Sequence, residues 1–274
     1  MSVITKITQQ KRDSERYNIF LDEVYAFSVH ESVLVKFGLT KGMQVDDWAK
    51  GEIEYEDQIE KAFNRALHFL SFRMRSEFEV KKKLADLEFG EAVILEAIVK
   101  LKRLGFLNDE AFSEALLQTQ KNTSNKGPKA IQQDLQKKGI AKELQQQVIE
   151  QYSDEEQIAR ARKLAEKAVN GNRSTPPAQL KQKIQNALLR KGFSYEVVNQ
   201  VIDNLEMEIE EDEWDAMTDS IGEKAWRRYH SKHSGYQLIN RVKQAMYQKG
   251  IPMDRINRFI EKKETEDHGE PEEI

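Results

Sequence analysis

A mostly α-helical fold of tandem three-helix repeats, forming an elongated curved array with a small N-terminal β-rich subdomain, is the architecture that the 274-residue sequence predicts. Three observations carry that prediction. Helix-start signals recur at intervals of 51, 48 and 59 residues, a lysine–glycine–apolar triplet closes a helix in three of the repeats, and an apolar stripe at helical spacing follows each triplet. Charged residues at 33 % against 39 % hydrophobic, with a mean hydropathy of -0.73, suit a body with much surface per residue better than one thick core.

The first residues follow a different period. Val3–Thr8, Tyr17–Leu21 and Tyr25–Val29 are short runs rich in β-branched and aromatic residues, separated by the turn candidates Asp13-Ser14-Glu15 and Asp22-Glu23. They predict a small antiparallel meander within a β-rich extension over residues 1–54. So small a sheet needs a helix to lean on. Ile59, Ala62, Phe63, Ala66, Leu67 and Leu70 fall at helical spacing and predict a linking helix over 55–75.

Four repeats follow, over 76–126, 127–174, 175–233 and, in partial form, 234–263. Ser76-x-x-Glu79 and Ser234-x-x-Gln237 read as capping boxes. Gly127-Pro128 and Thr175-Pro176 set a proline just inside a helix start, where its missing N–H costs nothing. Lys138-Gly139-Ile140, Lys191-Gly192-Phe193 and Lys249-Gly250-Ile251 each combine a cation, a left-handed glycine cap and a returning apolar residue. Glu88-Phe89-Gly90 reads as a shifted version of the same ending. Second helices carry Ile94/Ile98/Leu101, Leu144/Val148/Ile149, Val198/Val201/Ile202/Leu205 and Ile256/Phe259/Ile260; third helices open at Asp109-Glu110, Ser153-x-x-Glu156 and Asp212-Glu213, and the last repeat is expected to stop after two helices. The acidic segment 264–274 is expected to be disordered.

Net charge is -4, but it is unevenly placed: residues 1–60 carry -5, 61–205 carry +7, 206–263 balance, and 264–274 carry -6. A basic middle between acidic ends points to an anionic partner that the whole-chain isoelectric point near 5.9 would hide. Cysteine is absent, which excludes disulfides, thiolate zinc sites and a cysteine nucleophile. No apolar run approaches the ~18 residues of a membrane span, and residues 1–6 do not open like a secretory signal, so the expected location is the cytoplasm with no membrane partner.

The run Ala66-Leu67-His68-Phe69-Leu70-Ser71-Phe72-Arg73-Met74-Arg75-Ser76-Glu77-Phe78-Glu79-Val80, followed by Lys83-Leu84, resembles the opening block of the RecX family of recombination regulators. Leu104-Gly105-Phe106-Leu107-Asn108-Asp109-Glu110-Ala111-Phe112, and Gly127-Pro128-Lys129-Ala130-Ile131 with Leu135 and Lys138-Gly139-Ile140, resemble its next two blocks in order. Ser113, Asn108 and Val80 depart from the commoner alanine, aspartate and leucine by small changes of volume. The resemblance implies a non-catalytic regulator, without cofactor, that lies in the groove of the RecA filament on single-stranded DNA. It implies inhibition of the RecA ATPase, recombinase and coprotease activities, a role in DNA repair and the SOS response, and, in some members, DNA binding.

The residues themselves offer one functional signal, the basic middle. Arg73, Arg75, Lys81, Lys82, Lys83, Arg103, Lys126, Lys129, Lys137, Lys138, Arg190 and Lys191 are the candidate contacts to DNA or to the RecA filament, with Lys102, Lys181 and Lys183 in the same stretch. Lys137, Lys138, Arg190 and Lys191 also suit last helical turns, where a cation offsets the dipole without any ligand. Arg73 and Arg75 precede a helix start, so the competing role for them is an ion pair. The Asp-Glu pairs at 109–110, 154–155 and 212–213 read as helix-start residues rather than catalytic carboxylates. His230-x-x-His233 lacks a third metal ligand at a recognisable spacing. Trp48, Trp214, Trp226, Phe72 and Tyr229 offer stacking surfaces for bases, but spacings such as Trp214/Met217/Ile221/Ala225 favour core packing. No phosphate-binding loop, dinucleotide fingerprint or nucleophile elbow is present. A single-stranded DNA-binding protein that competes with recombinase is the alternative function, and the expected state is monomeric.

Overall fold

The computed structural model describes residues 1–172, 174–207 and 209–268, the last two as backbone. The chain divides into two compact units, Met1–Gln118 with Gln132–Val148, and Thr119–Ile131 with Ile149–Ile274. Among the described residues no helix is long and apolar enough to cross a membrane.

Strands β1 (Ser2–Gln9), β2 (Arg16–Leu21) and β3 (Val24–His30) form the expected meander, and β4 (Gln44–Val45) extends it to the order β3-β2-β1-β4, antiparallel throughout. The β2–β3 turn is the two-residue Asp22-Glu23, both at positive φ (49° and 69°), as the twist of a tight hairpin requires. Asp22 fixes it by accepting the Val3 N–H at 3.1 Å. A short helix α1 (Glu31–Lys36) and β4 were not foreseen in the sequence. Ile4, Ile19, Val29, Val33 and Ile53 are the buried centre of this part.

Helix α2 spans Asp47–Leu70, starting earlier than the linking helix expected at 55, because Asp46 caps it by accepting the Ala49 N–H at 2.8 Å. The buried Asp57 of α2 ties the helix to the sheet: it takes Arg16 at 2.9 Å, the His30 N–H at 2.8 Å and Lys61 at 2.9 Å. Burial alone would raise this carboxyl, and the hydrogen bonds from Arg16, Lys61 and His30 outweigh it and hold it below the usual carboxylate range.

The remaining helices are α3 (Glu77–Ala85), α4 (Glu91–Arg103), α5 (Asp109–Thr119), α6 (Pro128–Lys137), α7 (Lys142–Glu150), α8 (Asp154–Asn170), α9 (Pro177–Arg190), α10 (Tyr195–Asp203), α11 (Glu211–His230), α12 (Gly235–Gln248) and α13 (Met253–His268), with a π-helical turn at Gln120–Ser124. Their cores group them one helix out of phase with the expected repeats. Phe63, Val80, Leu84, Ile98 and Leu101 join α2, α3 and α4. Ala161, Ala165, Ile184, Leu188 and Val198 join α8, α9 and α10, while Ala225, Val242, Met246, Ile256 and Phe259 join α11, α12 and α13. The expected linking helix is thus the first helix of a repeat, and the last repeat is a complete three-helix group. Helix α13 continues to His268, past Lys263 where order was expected to end; 269–274 lie outside the described residues.

Local signals hold at most but not all ends. The Ser76–Glu79 box forms in both directions. Ser153 accepts the Glu156 N–H at 3.3 Å. Ser234 makes no side-chain cap bond, since Gly235 sits at φ +52° and turns the chain away from box geometry. Helix α9 starts at Pro177, with Pro176 as the residue before it. Near 88–90 the left-handed residue is Glu88 (φ +63°), and Gly90 instead precedes α4 at φ -64°.

The glycine triplets explain how the repeats join. In the first unit Gly139, after α6, abuts Phe78 of α3; a Cβ there would lie 2.4 Å from that side chain. In the second unit Gly192, after α9, meets the start of α6: the Gly127 and Lys129 N–H groups donate to the Lys191 and Gly192 carbonyls at 2.8 and 3.1 Å. A Cβ at Gly192 would lie 2.4 Å from the Ala130 nitrogen. Gly250, after α12, faces Pro176 and Ala178 at the start of α9 more loosely, with 3.3 Å from its Cβ position to Ala178. Gly192 and Gly105 share a positive φ, but nothing lies within 4 Å of a Cβ at Gly105. Gly105→Ala should therefore cost ~1–2 kcal/mol for the backbone alone, and Gly192→Ala ~1–3 kcal/mol more for the collision, read as the difference between their denaturant midpoints.

Candidate nucleic-acid and filament interface

In the first unit, the cations around α3 are organised by two carboxylates of its first turn. Glu79, fixed by the Ser76 box, receives Arg73 at 3.0 Å and Lys138 at 2.7 Å, with Arg75 at 4.0 Å. Arg75 also lies over the Phe69 ring, 4.2 Å from its centroid. Burial would raise the Glu79 carboxyl, but hydrogen bonds from Lys138, Arg73 and the Ser76 amide hold it below the ordinary glutamate value. Glu77 receives Lys81 at 2.5 Å and Lys102 at 2.9 Å, which likewise outweigh burial and lower it, while the Lys102 ammonium is raised by its bond to Glu77. The Glu77 N–H donates to Asp109 at 2.8 Å, so the start of α5 caps α3. Burial pushes the Asp109 carboxyl up despite that bond, and the neighbouring Glu77 charge adds to the rise.

Arg73, Arg75, Lys81 and Lys138 are thus ion-pair struts within the unit. Lys137 has a weaker partner in Asp134 at 3.9 Å. Lys82, Lys83 and Arg103 form no ion pair among the described residues, and Lys82 and Arg103 are exposed. Exposed apolar side chains accompany them: Phe72 and Met74 before α3, and Leu95 and Val99 one turn apart on α4.

In the second unit, Lys121 of the π turn is buried beneath Tyr152, 4.6 Å from the ring centroid, and pairs with Glu156. Burial pushes the Tyr152 hydroxyl up to about 12. Arg160 donates to the Lys121 carbonyl at 2.5 Å and to Asn122 at 2.8 Å, fastening α8 to the turn. Arg160, Lys163 and Lys167, one face of α8, then line a groove of about 600 Å³ with Asn122 and Asn125. Its one carboxylate, Glu156, is already neutralised by Lys121 and Arg160. Such an array suits a phosphate backbone. These residues are not among the candidates named from the sequence, although the i, i+3, i+7 spacing of Arg160, Lys163 and Lys167 carries the signal. Of the earlier candidates here, Lys129 and Arg190 are exposed and form no ion pair among the described residues. Lys191 donates to the Ser124 carbonyl at 2.8 Å, and Lys126 is half-buried beside the π turn.

Trp214, Trp226 and Tyr229 pack against the last core, as expected. Trp48 and Phe72, also expected in cores, are 76 % and 71 % exposed, because α2 turns its apolar stripe away from Trp48 and Phe72 lies in the link before α3. His230 stacks on Trp226 and His233 lies beside Tyr229.

The chain is similar to known proteins along nearly all of its length. The family model for the regulatory protein RecX N-terminal domain matches residues 2–46. Those for the first and second three-helix domains match 62–101 and 108–149, and that for the third matches twice, at 154–202 and 211–260. The chain belongs to the RecX regulatory protein family. The matched spans also follow the phase seen in the cores, each repeat opening with its long helix. Regulatory protein RecX of Bacillus subtilis (strain 168) is 41 % identical over 264 residues, 96 % of this chain and 100 % of the relative. That of Halalkalibacterium halodurans is 39 % identical over 265 residues, 95 % and 99 % of the two chains. A crystal structure of regulatory protein RecX aligns at TM-score 0.67 and 37 % identity, covering 74 % of this chain and 100 % of that one. A RecX from Lactobacillus salivarius aligns at 0.53 and 38 %, covering 55 % and 97 %.

The Glu79 cluster yields a pH dependence. A carboxyl held below its ordinary value of 4.5 contributes stability above that pH and loses it as pH falls through the lower folded value. Glu79→Gln should cost ~1–3 kcal/mol at neutral pH and flatten the acid limb of the melting temperature, the two proteins converging as the pH drops below 4.5. Parallel acid limbs would contradict this assignment.

Proposed function

We propose that the chain is a non-catalytic regulator that binds the RecA nucleoprotein filament in its helical groove and lowers its ATPase, recombinase and coprotease activities. One observation carries the reading: membership of the RecX family over nearly the whole chain. The surface chemistry agrees with it. Lys82, Lys83 and Arg103 form no ion pair among the described residues, and Arg103 lies one helical turn from the exposed Val99 on α4, a pairing of charge and apolar surface of the kind that meets protein and phosphate together. Repeated weak contacts along a lattice gain affinity through effective concentration. With no nucleotide-binding motif in the sequence, any effect on ATP hydrolysis acts through the partner's filament. The chain acts in the cytoplasm as a monomer in this reading.

The groove along α8 favours a second reading, occupation of single-stranded DNA in competition with recombinase. The two part in solution. Filament binding predicts that the chain slows DNA-dependent ATP hydrolysis by RecA at concentrations well below those that bind a bare oligonucleotide. It also predicts that Lys82→Gln/Lys83→Gln/Arg103→Gln raises the half-inhibitory concentration by about three- to tenfold. Inhibition that tracks bare-DNA affinity would favour competition, and undiminished hydrolysis would refute both.

A further inference from the structure

A second basic concavity lies in the last two repeats, apart from the groove along α8. Helices α9, α11 and α12 enclose a cleft of about 350 Å³ lined by Lys183, Lys224, Arg228 and Lys249, with the hydroxyls of Ser174 and Thr175 at its edge. No carboxylate lines it, and none of the four cations forms an ion pair among the described residues. Four cationic residues along one hollow, with no carboxylate among its described lining residues, make it a place where an anion is favoured.

The cleft exists because one repeat junction is built differently from its counterpart. At the α6–α9 junction backbone hydrogen bonds close the gap, and the triplet lysine, Lys191, is satisfied by the Ser124 carbonyl. At the α9–α12 junction the Gln179 side chain reaches the Lys249 carbonyl at 2.6 Å in place of those bonds. Lys249, in the position of Lys191, forms no ion pair among the described residues and is one of the residues that line the cleft. The same sequence device thus makes a closed joint in one place and a cationic hollow in the next.

We propose that this cleft seats a phosphate of a nucleic-acid backbone, a proposal that rests on the functional reading above only in taking DNA as the partner class. Three of the four cations are lysines, point charges that accept a tetrahedral phosphate from any side, whereas planar carboxylates of an acidic peptide favour the arginine fork. The floor is apolar, from Ile221, Ala225 and Ala245, and suits the sugar edge of a strand.

The test uses the full chain and a fluorescein-labelled single-stranded oligonucleotide, followed by anisotropy at several salt concentrations without recombinase. Lys224→Gln/Arg228→Gln/Lys249→Gln should weaken binding at least about fivefold and reduce the log–log salt slope by about 2–3, while Lys41→Gln/Lys142→Gln, outside the cleft, should not. Unchanged affinity and slope would overturn the proposal. So would polyglutamate that displaces the oligonucleotide at equal charge and loses affinity equally in the triple variant, which would assign the cleft to an acidic protein surface. Should the variant fail to fold, hydrogen exchange on the unaltered chain decides: oligonucleotide must slow exchange in 174–183 and 245–250, and no slowing there overturns the assignment. Inhibition of RecA ATP hydrolysis is read separately, so failure here leaves the filament reading standing.

Discussion

The repeats depend on one contact, the end of one helix set against the start of its counterpart a repeat earlier, with only a glycine between them. That contact is strict for two reasons at once. The glycine must take a left-handed backbone to end the helix, and it must lack a Cβ because the neighbouring chain occupies that space, as Ala130 does at Gly192. At the Gly127 and Lys129 amides the contact also satisfies helix-start donors with helix-end carbonyls, so two ends that would each need solvent or a cap meet each other's need. A three-helix group of this size buries little alone, and the junction is where neighbouring groups share burial.

Around that contact, charge serves structure before it serves binding. Glu77 and Glu79 gather Lys81, Lys102, Arg73 and Lys138 into a network at the start of α3, and Glu156 neutralises the buried Lys121. The basic excess read along the sequence is therefore divided between struts and surface. The cations without an ion pair among the described residues, Lys163 and Lys167 on α8 and the four in the cleft beside α9, are the ones left to meet a ligand.

Much of this was legible in the residues. The first three strands, the Asp22-Glu23 turn, the Ser76 box and the three lysine–glycine ends follow from local chemistry and stand where the residues predict them. The phase of the repeats did not, because a capping signal marks where a helix begins and says nothing of which three helices share a core; α2 looked like a linker only because its partners α3 and α4 come after it. Ser234 shows the limit of a motif, since one left-handed glycine beside it undoes the box. Trp48 and Phe72 show another: an aromatic near an apolar stripe is not on it. For the candidate surface, a list of lysines could not separate Lys138, paired with Glu79, from Lys82, which forms no ion pair among the described residues, since that difference lies in which neighbour the fold brings near.

The two joints of the second unit differ in what holds them, main-chain hydrogen bonds at Gly192 and, among the described residues, a side-chain amide bond from Gln179 beside Gly250. Cooperativity along the chain is graded in consequence. The group of α11, α12 and α13 has its own core, and a group with its own core joined by few main-chain bonds is the kind of unit that opens cooperatively. A ligand that bridges that joint would therefore bind and fasten in one act, linking occupancy to the ordering of the C-terminal end.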